Sequence, residues 1–113
     1  MGLVLLIGAA IAIGIGATIA VYYTIKWLKN RIKQKFEKQN VKKVAATTLE
    51  KLVNECPNEI SLDNLLNDGY TDVVVSINNS GEVEDLDVIK NTGSSDPEIE
   101  RLLGSEEMIV VTR

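Results

Sequence analysis

Histidine is absent from this 113-residue chain, and cysteine occurs once, as Cys56. Without histidine the chain cannot build a Ser-His-Asp triad or a Cys-His dyad. A single thiol forms neither an intramolecular disulfide nor a zinc site. We therefore expect a non-enzymatic protein with no metal and no cofactor, in which Cys56 is a small buried apolar residue near a helix end.

Charge is absent from residues 2–25, a run of 24 positions. As a helix this run would be roughly 36 Å long, which exceeds the hydrocarbon core of a bilayer at about 30 Å. Residues 2–25 are therefore predicted to form a single transmembrane helix. A cleaved signal peptide is the alternative, but residues 1–7 lack the basic start that such peptides have.

Small residues recur at every fourth position of this run. In a helix they would share one face, and small residues let helix backbones approach closely in lipid. We interpret them as a packing face for other transmembrane helices, from copies of this chain or from another protein. The face consists of Gly8, Ala12, Gly16 and Ala20.

Basic charge is concentrated in residues 26–43, which hold eight Lys or Arg and one Glu, whereas residues 44–113 hold four basic and fifteen acidic residues. Basic residues beside a span stay on the cytoplasmic side, so we predict an outside N-terminus and a cytoplasmic head. Lipid is favoured over nucleic acid as the polyanion, because the span is adjacent. The predicted headgroup contacts are Tyr22, Tyr23, Lys26, Trp27, Lys29, Arg31, Lys33 and Lys35.

Helix-favouring residues dominate residues 26–56, where neither glycine nor proline occurs. We predict a basic amphipathic helix here, either continuous or divided into two at Asn40. Residues 57–113 are predicted to form a small α+β head in the order α-β-β-α-β, with a three-stranded sheet. Its helices are residues 62–67 and 98–103, and its strands are residues 71–78, 82–90 and 108–112.

Acidic residues are dense on the second of these strands. Glu82, Glu84, Asp85 and Asp87, with Asp72 on the neighbouring strand, are of the type that binds Ca²⁺ or Mg²⁺. Strand alternation, however, sends Glu82 and Glu84 to one face and Asp85 and Asp87 to the other. We therefore interpret them as a solvated hairpin rather than as a metal site.

The last predicted strand has no charge before Arg113 and is mostly β-branched. If it lies at the edge of the sheet, it offers unpaired backbone groups to the strand of a partner protein. If it lies between the hairpin strands, it belongs to the core, and the sequence leaves both arrangements open. The candidate partner strand is Met108, Ile109, Val110, Val111 and Thr112.

The pattern VVVSINNSGEVEDLDVIKNTGSSDPEIERLL, at residues 73–103, resembles the C-terminal domain of TonB- and TolA-type energy transducers. In those families a hairpin with a glycine turn precedes a loop, a helix and a closing strand, behind an N-terminal membrane anchor. The resemblance covers about residues 62–112 and implies a periplasmic head. The lysines predict a cytoplasmic one, and the long proline-rich spacer of TonB is absent.

Together these patterns predict a membrane-anchored tether or assembly subunit that acts through packing of its span and through protein contacts of its head. One alternative is a transducer of the TonB or TolA type with a periplasmic head. The other is a glycine-zipper oligomer that permeabilises membranes, although such a protein needs little beyond its span. The identity of the protein partner is not encoded in any pattern described above.

Overall fold

The computed structural model describes residues 2–14, 16–104 and 108–113. Within these ranges the chain forms five helices and five strands. In chain order they are α1 Leu3–Ala12, β1 Ala17–Val21, α2 Ile25–Phe36, β2 Val41–Thr48, α3 Leu49–Glu55, α4 Ile60–Asn67, β3 Asp72–Asn78, β4 Val83–Asn91, α5 Pro97–Leu103 and β5 Ile109–Thr112.

The strands form one mixed sheet in the order β1-β4-β3-β2-β5. Strands β3 and β4 are the predicted hairpin, and β2 and β5 continue the antiparallel pairing on the far side of β3. Strand β1 lies parallel to β4, with Ala17 opposite Asp87. The predicted three-stranded sheet is therefore wrong, because two further strands come from residues 2–56.

Helices cover both faces of the sheet, and each face has its own hydrophobic core. On one face α1, α3 and α4 pack on alternate residues of β3 and β4, such as Val75 and Leu86. On the other face α2 and α5 pack on the intervening positions, such as Val74 and Ile89. Strand β3 is apolar on both faces for this reason, at Val73, Val74 and Val75, as expected of a strand covered on both sides.

The predicted transmembrane helix is wrong. Helix α1 has 10 residues, and the chain then leaves helical geometry at Gly14 and Gly16, whose φ angles are +86° and +136°. Glycine adopts such angles without a steric penalty, so these two residues allow the chain to turn back and enter the sheet as β1. Among the described residues no helix has both the length and the apolarity that crossing a bilayer requires.

The predicted single-pass topology with a cytoplasmic head is also wrong, because it required this transmembrane helix. The membrane-permeabilising oligomer required the same span and loses its basis as well. Burial explains part of the uncharged run at residues 2–25, because α1 contributes Ile7, Ala10 and Ile11 to one core, although Leu5, Ile13 and Tyr22 of the same run are exposed. The apolar residues of β1 lie beside β4 in the sheet.

The predicted helix over residues 26–56 is wrong in its middle, where residues 41–48 form β2, whereas α2 and α3 are helical on either side of that strand. Helix α2 ends at Phe36, and β2 then runs through the middle of the sheet between β3 and β5. Val41, Val44, Thr47 and Thr48 are β-branched, which favours a strand, and pairing on both sides stabilises it. Thr48 then caps α3 by accepting a hydrogen bond from the Lys51 amide.

Packing of α1 on α3 explains why position 8 is glycine. A Cβ atom at Gly8 would lie 2.8 Å from Cys56 Sγ and 3.9 Å from Leu62 Cδ1. A Gly8→Val variant should therefore lower the free energy of unfolding by about 1–3 kcal/mol, measured by urea denaturation. Adding Cys56→Ala should restore part of this loss, because it removes the sulfur that the new side chain would meet.

Ala9 provides the matched control, since it lies on the same helix but is exposed. Ala9→Val should lower stability only by the weaker helix propensity of valine, about 0.5 kcal/mol. Equal losses for the two valine variants would contradict a steric role for Gly8.

Candidate functional site

The structure does not bring the four predicted packing residues onto one face. Gly8 and Ala12 lie on α1, Gly16 precedes β1, and Ala20 lies within β1. Gly8 is buried, whereas the other three are exposed. Their spacing of four therefore does not define a common helical surface.

The predicted lipid-contacting residues are also divided. Lys26, Lys29 and Lys33 are exposed on α2, and Tyr22 is exposed before it. Tyr23 and Lys35 are buried. Trp27 and Arg31 are half-buried, and the Trp27 ring meets the Tyr23 ring edge-on, with 5.7 Å between centroids. The eight residues thus do not form one surface.

Helix α2 is joined to β4 by a cluster of ion pairs that sequence analysis missed. Arg31 Nε lies 2.7 Å from Asp87 Oδ2 and Arg31 Nη2 lies 3.1 Å from Asp87 Oδ1, a bidentate arrangement. Lys35 contacts Asp85 and lies 3.1 Å from Asp87, and Lys38 lies 3.2 Å from Asp85. Asp85 and Asp87, two of the four acidic residues predicted to be solvated on this strand, are therefore in ion pairs with basic residues of α2 and of the turn after it.

These contacts lower the pKa of Asp85 and raise the pKa of Arg31. Burial acts to raise the pKa of Asp85, but hydrogen bonds from Lys35, Ser76 and Lys38 outweigh it and hold the pKa below its usual value. The hydrogen bond with Asp87 raises the pKa of Arg31. Both shifts favour the charged forms of Asp85 and Arg31, and the ion pairs join α2 to β4.

The predicted partner strand lies at an open edge of the sheet. Strand β5 pairs with β2 on one side, with Val110 opposite Ala45 and Val111 opposite Val44, and it is the last strand in the sheet order. Val110 is 45% exposed and Val111 is 37% exposed. Of the two arrangements that the sequence left open, the structure has the edge position.

The orientation of the β5 amides follows from one hydrogen bond at its end. The Arg113 amide donates to the Lys42 carbonyl over 2.9 Å. Because hydrogen-bonding direction alternates along an antiparallel strand, the amides of Ile109 and Val111 face β2 as well. The amides of Val110 and Thr112 therefore face the open side.

Arg113 holds the end of β5 against the end of α2. Its guanidinium donates to the carbonyls of Phe36, Lys38 and Gln39 and lies over the Phe36 ring at 5.3 Å from the centroid. An arginine at this place satisfies the last carbonyls of a helix. These contacts fix the C-terminal end of the edge strand.

The remaining candidate residues are the acidic side chains and Cys56. Within residues 2–14, 16–104 and 108–113 no three cysteine or acidic side chains converge as metal ligands would. Burial, followed by the charges of Glu59 and Glu55, raises the pKa of Cys56. A thiol with a raised pKa is a poor nucleophile at neutral pH.

Sequence analysis also missed a cavity beside α5, next to Tyr23 and Asp72. One signal was available, because strand alternation puts Asp72 on the same face of β3 as Val74, which is buried in one of the two cores. Nothing local connected Asp72 to Tyr23, which lies far away in the chain.

No protein family, curated protein or solved structure matches this chain. The resemblance of residues 62–112 to the C-terminal domain of TonB- and TolA-type transducers therefore stays a prediction.

Proposed function

We propose that this protein is a non-enzymatic interaction module that binds an extended segment of another protein along the open side of β5. The observation that carries the proposal is the position of β5 at the sheet edge, with its exposed valines. An added strand would gain main-chain hydrogen bonds from the outward amides and apolar contacts from the side chains.

Apart from its short length, β5 lacks the usual devices that protect a sheet edge. Its four residues include no charge, no proline and no glycine, and no bulge is present in its pairing with β2. The opposite edge, β1, exposes Ala17, Thr18 and Ala20, whose side chains offer less apolar surface. A partner segment therefore has more to contact at β5 than at β1.

The charge near β5 favours a particular partner. Lys42 and Lys43 are exposed on the neighbouring strand at the end where Thr112 pairs. The partner segment is therefore expected to carry apolar residues opposite Val110 and Val111 and an acidic residue near Thr112. Electrostatic complementarity of this kind sets register and partner choice.

A proline at position 110 tests the proposal. Val110→Pro removes an amide that faces the open side, so the β2–β5 ladder should persist and the melting temperature should change by only a few degrees. The partner, captured by in-cell crosslinking and identified by mass spectrometry on the unaltered chain, should be lost. The same samples should be sized by ultracentrifugation, so that a second copy of the chain acting as partner is detected.

Val111→Pro is the matched variant, because the Val111 amide faces β2. It should destabilise the protein by about 3 kcal/mol or more, since it breaks a ladder hydrogen bond inside the sheet. If Val110→Pro stays folded and still captures the partner, docking along β5 is ruled out.

A further inference from the structure

A cavity of about 440 Å³ lies at the end of the sheet where β4 finishes and α5 begins. This volume is in the range of small-ligand sites. Its walls come from the segment before α2, from the β2–α3 junction, from the start of β3 and from α5. Elements distant in sequence therefore meet around it.

Two hydrogen-bonded connections fix these walls. The Asp96 carboxylate accepts from the amides of Ile25, over 2.8 Å, and Glu98, over 2.9 Å. The side-chain oxygen of Asn91 accepts from the Tyr23 amide over 3.0 Å. These hydrogen bonds hold the segment that carries Tyr23 to the end of β4 and to the loop before α5.

Tyr23 gives the first sign of a ligand. The residue lines the cavity and is only 1% exposed, and its hydroxyl has no hydrogen-bond partner within the described part of the chain. A buried hydroxyl without a partner is unfavourable, and such groups are uncommon in folded proteins. Burial, followed by the charge of Asp72, raises the pKa of this phenol, so it remains a hydrogen-bond donor and acceptor.

The charge around the cavity has one sign. Among the residues that the structure describes, four acidic side chains line it, those of Glu50, Asp72, Asp96 and Glu100, and no lysine or arginine does. Asp96 is already committed to backbone amides. Asp72 is buried, and none of the ion pairs found among the described residues includes it.

The rest of the lining is apolar and includes Leu66, Ile99 and Leu103. We propose that this cavity binds a small organic ammonium ion, with Asp72 as its counter-ion, the Tyr23 hydroxyl as a hydrogen-bond partner and an apolar chain against Ile99 and Leu103. An alkylammonium fits better than a metal ion, because within the described ranges no three ligands converge.

The test uses n-butylammonium chloride and n-butanol, two probes of similar shape that differ in charge. Each is titrated into the full chain at constant ionic strength, followed by calorimetry and by the emission of Trp27, the only tryptophan, which touches Tyr23. We expect saturable binding of n-butylammonium, at least about tenfold tighter than that of n-butanol, because only the cation forms a charge-assisted hydrogen bond.

Variants locate the site. Asp72→Asn should make the affinities for n-butylammonium and n-butanol similar. Tyr23→Phe should weaken binding of n-butylammonium several-fold. Asp68→Asn, at an exposed carboxylate, should change the affinity for neither probe. Thermal melting of each variant confirms folding. The proposal is overturned if the wild type shows no saturable binding, if both probes bind equally, or if folded Asp72→Asn still prefers the cation. Val110→Pro should bind n-butylammonium normally, so that failure here is distinct from failure at β5.

Discussion

A Lys35→Ala variant is expected to lose about 3 kcal/mol of unfolding free energy, measured by urea denaturation at neutral pH. The Lys35 side chain is 4% exposed and contacts both Asp85 and Asp87. Its removal leaves Asp87, which is 5% exposed, with Arg31 as its remaining partner. A buried carboxylate that loses one of its counter-ions is strongly destabilising, because the protein interior solvates it poorly.

Two further variants isolate the reason for this loss. Lys33→Ala removes an exposed lysine from the same helix and should change stability by no more than about 0.5 kcal/mol. Adding Asp87→Asn to Lys35→Ala should recover part of the loss, because it removes a buried carboxylate that has lost one of its two counter-ions, and the two effects should not add. Strict additivity would mean that Lys35 acts through packing of its aliphatic chain alone.

The hairpin of β3 and β4 could be predicted because its signals are local. Apolar alternation on both sides of Asn79 and Gly81 is sufficient to define it, and Gly81 adopts a φ of +81° in the turn. Asp96 also caps α5 as its position before Pro97 indicates. Such features depend on residues a few positions apart.

The N-terminal half could not be predicted, because its signals are shared by different structures. An uncharged run fits a membrane span, and it fits a buried helix followed by a strand equally well. The deciding fact is the conformation of Gly14 and Gly16, which composition does not reveal. In residues 41–48 tertiary pairing on both sides outweighed helix propensity, because a central strand gains its stability from its neighbours.

The candidate sites also combine features that the local sequence predicts with features that depend on distant parts of the chain. The uncharged, β-branched character of β5 was evident from its residues, but its place at the edge depends on β2 pairing between it and β3. The ion pairs of Arg31 and Lys35 join positions about 50 or more apart in the chain. The cavity likewise has Tyr23 and Asp72 in its lining, and no local pattern predicts that two residues so far apart in the chain share one cavity.

Replacing Asp72 with asparagine is expected to remove a pH dependence of stability between about pH 4 and pH 6. Burial raises the pKa of Asp72 to about 6 from its usual 3.8, although a hydrogen bond from Thr71 acts in the opposite direction. In this interval the folded protein holds a proton that the unfolded chain has released. The wild type therefore loses stability as pH rises, by about 3 kcal/mol in total, and stays less stable above pH 6.

The amide side chain of the Asp72→Asn variant cannot ionise, so this variant should exceed the wild type in stability by a margin that grows with pH and levels off near neutrality. Urea denaturation of both proteins at several pH values measures this margin. The test is the change of the margin with pH, which a constant effect of the amide on stability does not alter. In the described part of the chain, the charged groups that share the cavity with Asp72 are Glu50, Asp96 and Glu100. All are acidic, so none offsets the cost of ionising it. For Asp68→Asn the difference in unfolding free energy from the wild type should not change with pH. The same result for Asp72→Asn would contradict the prediction, because it would mean that ionising Asp72 does not destabilise the folded protein.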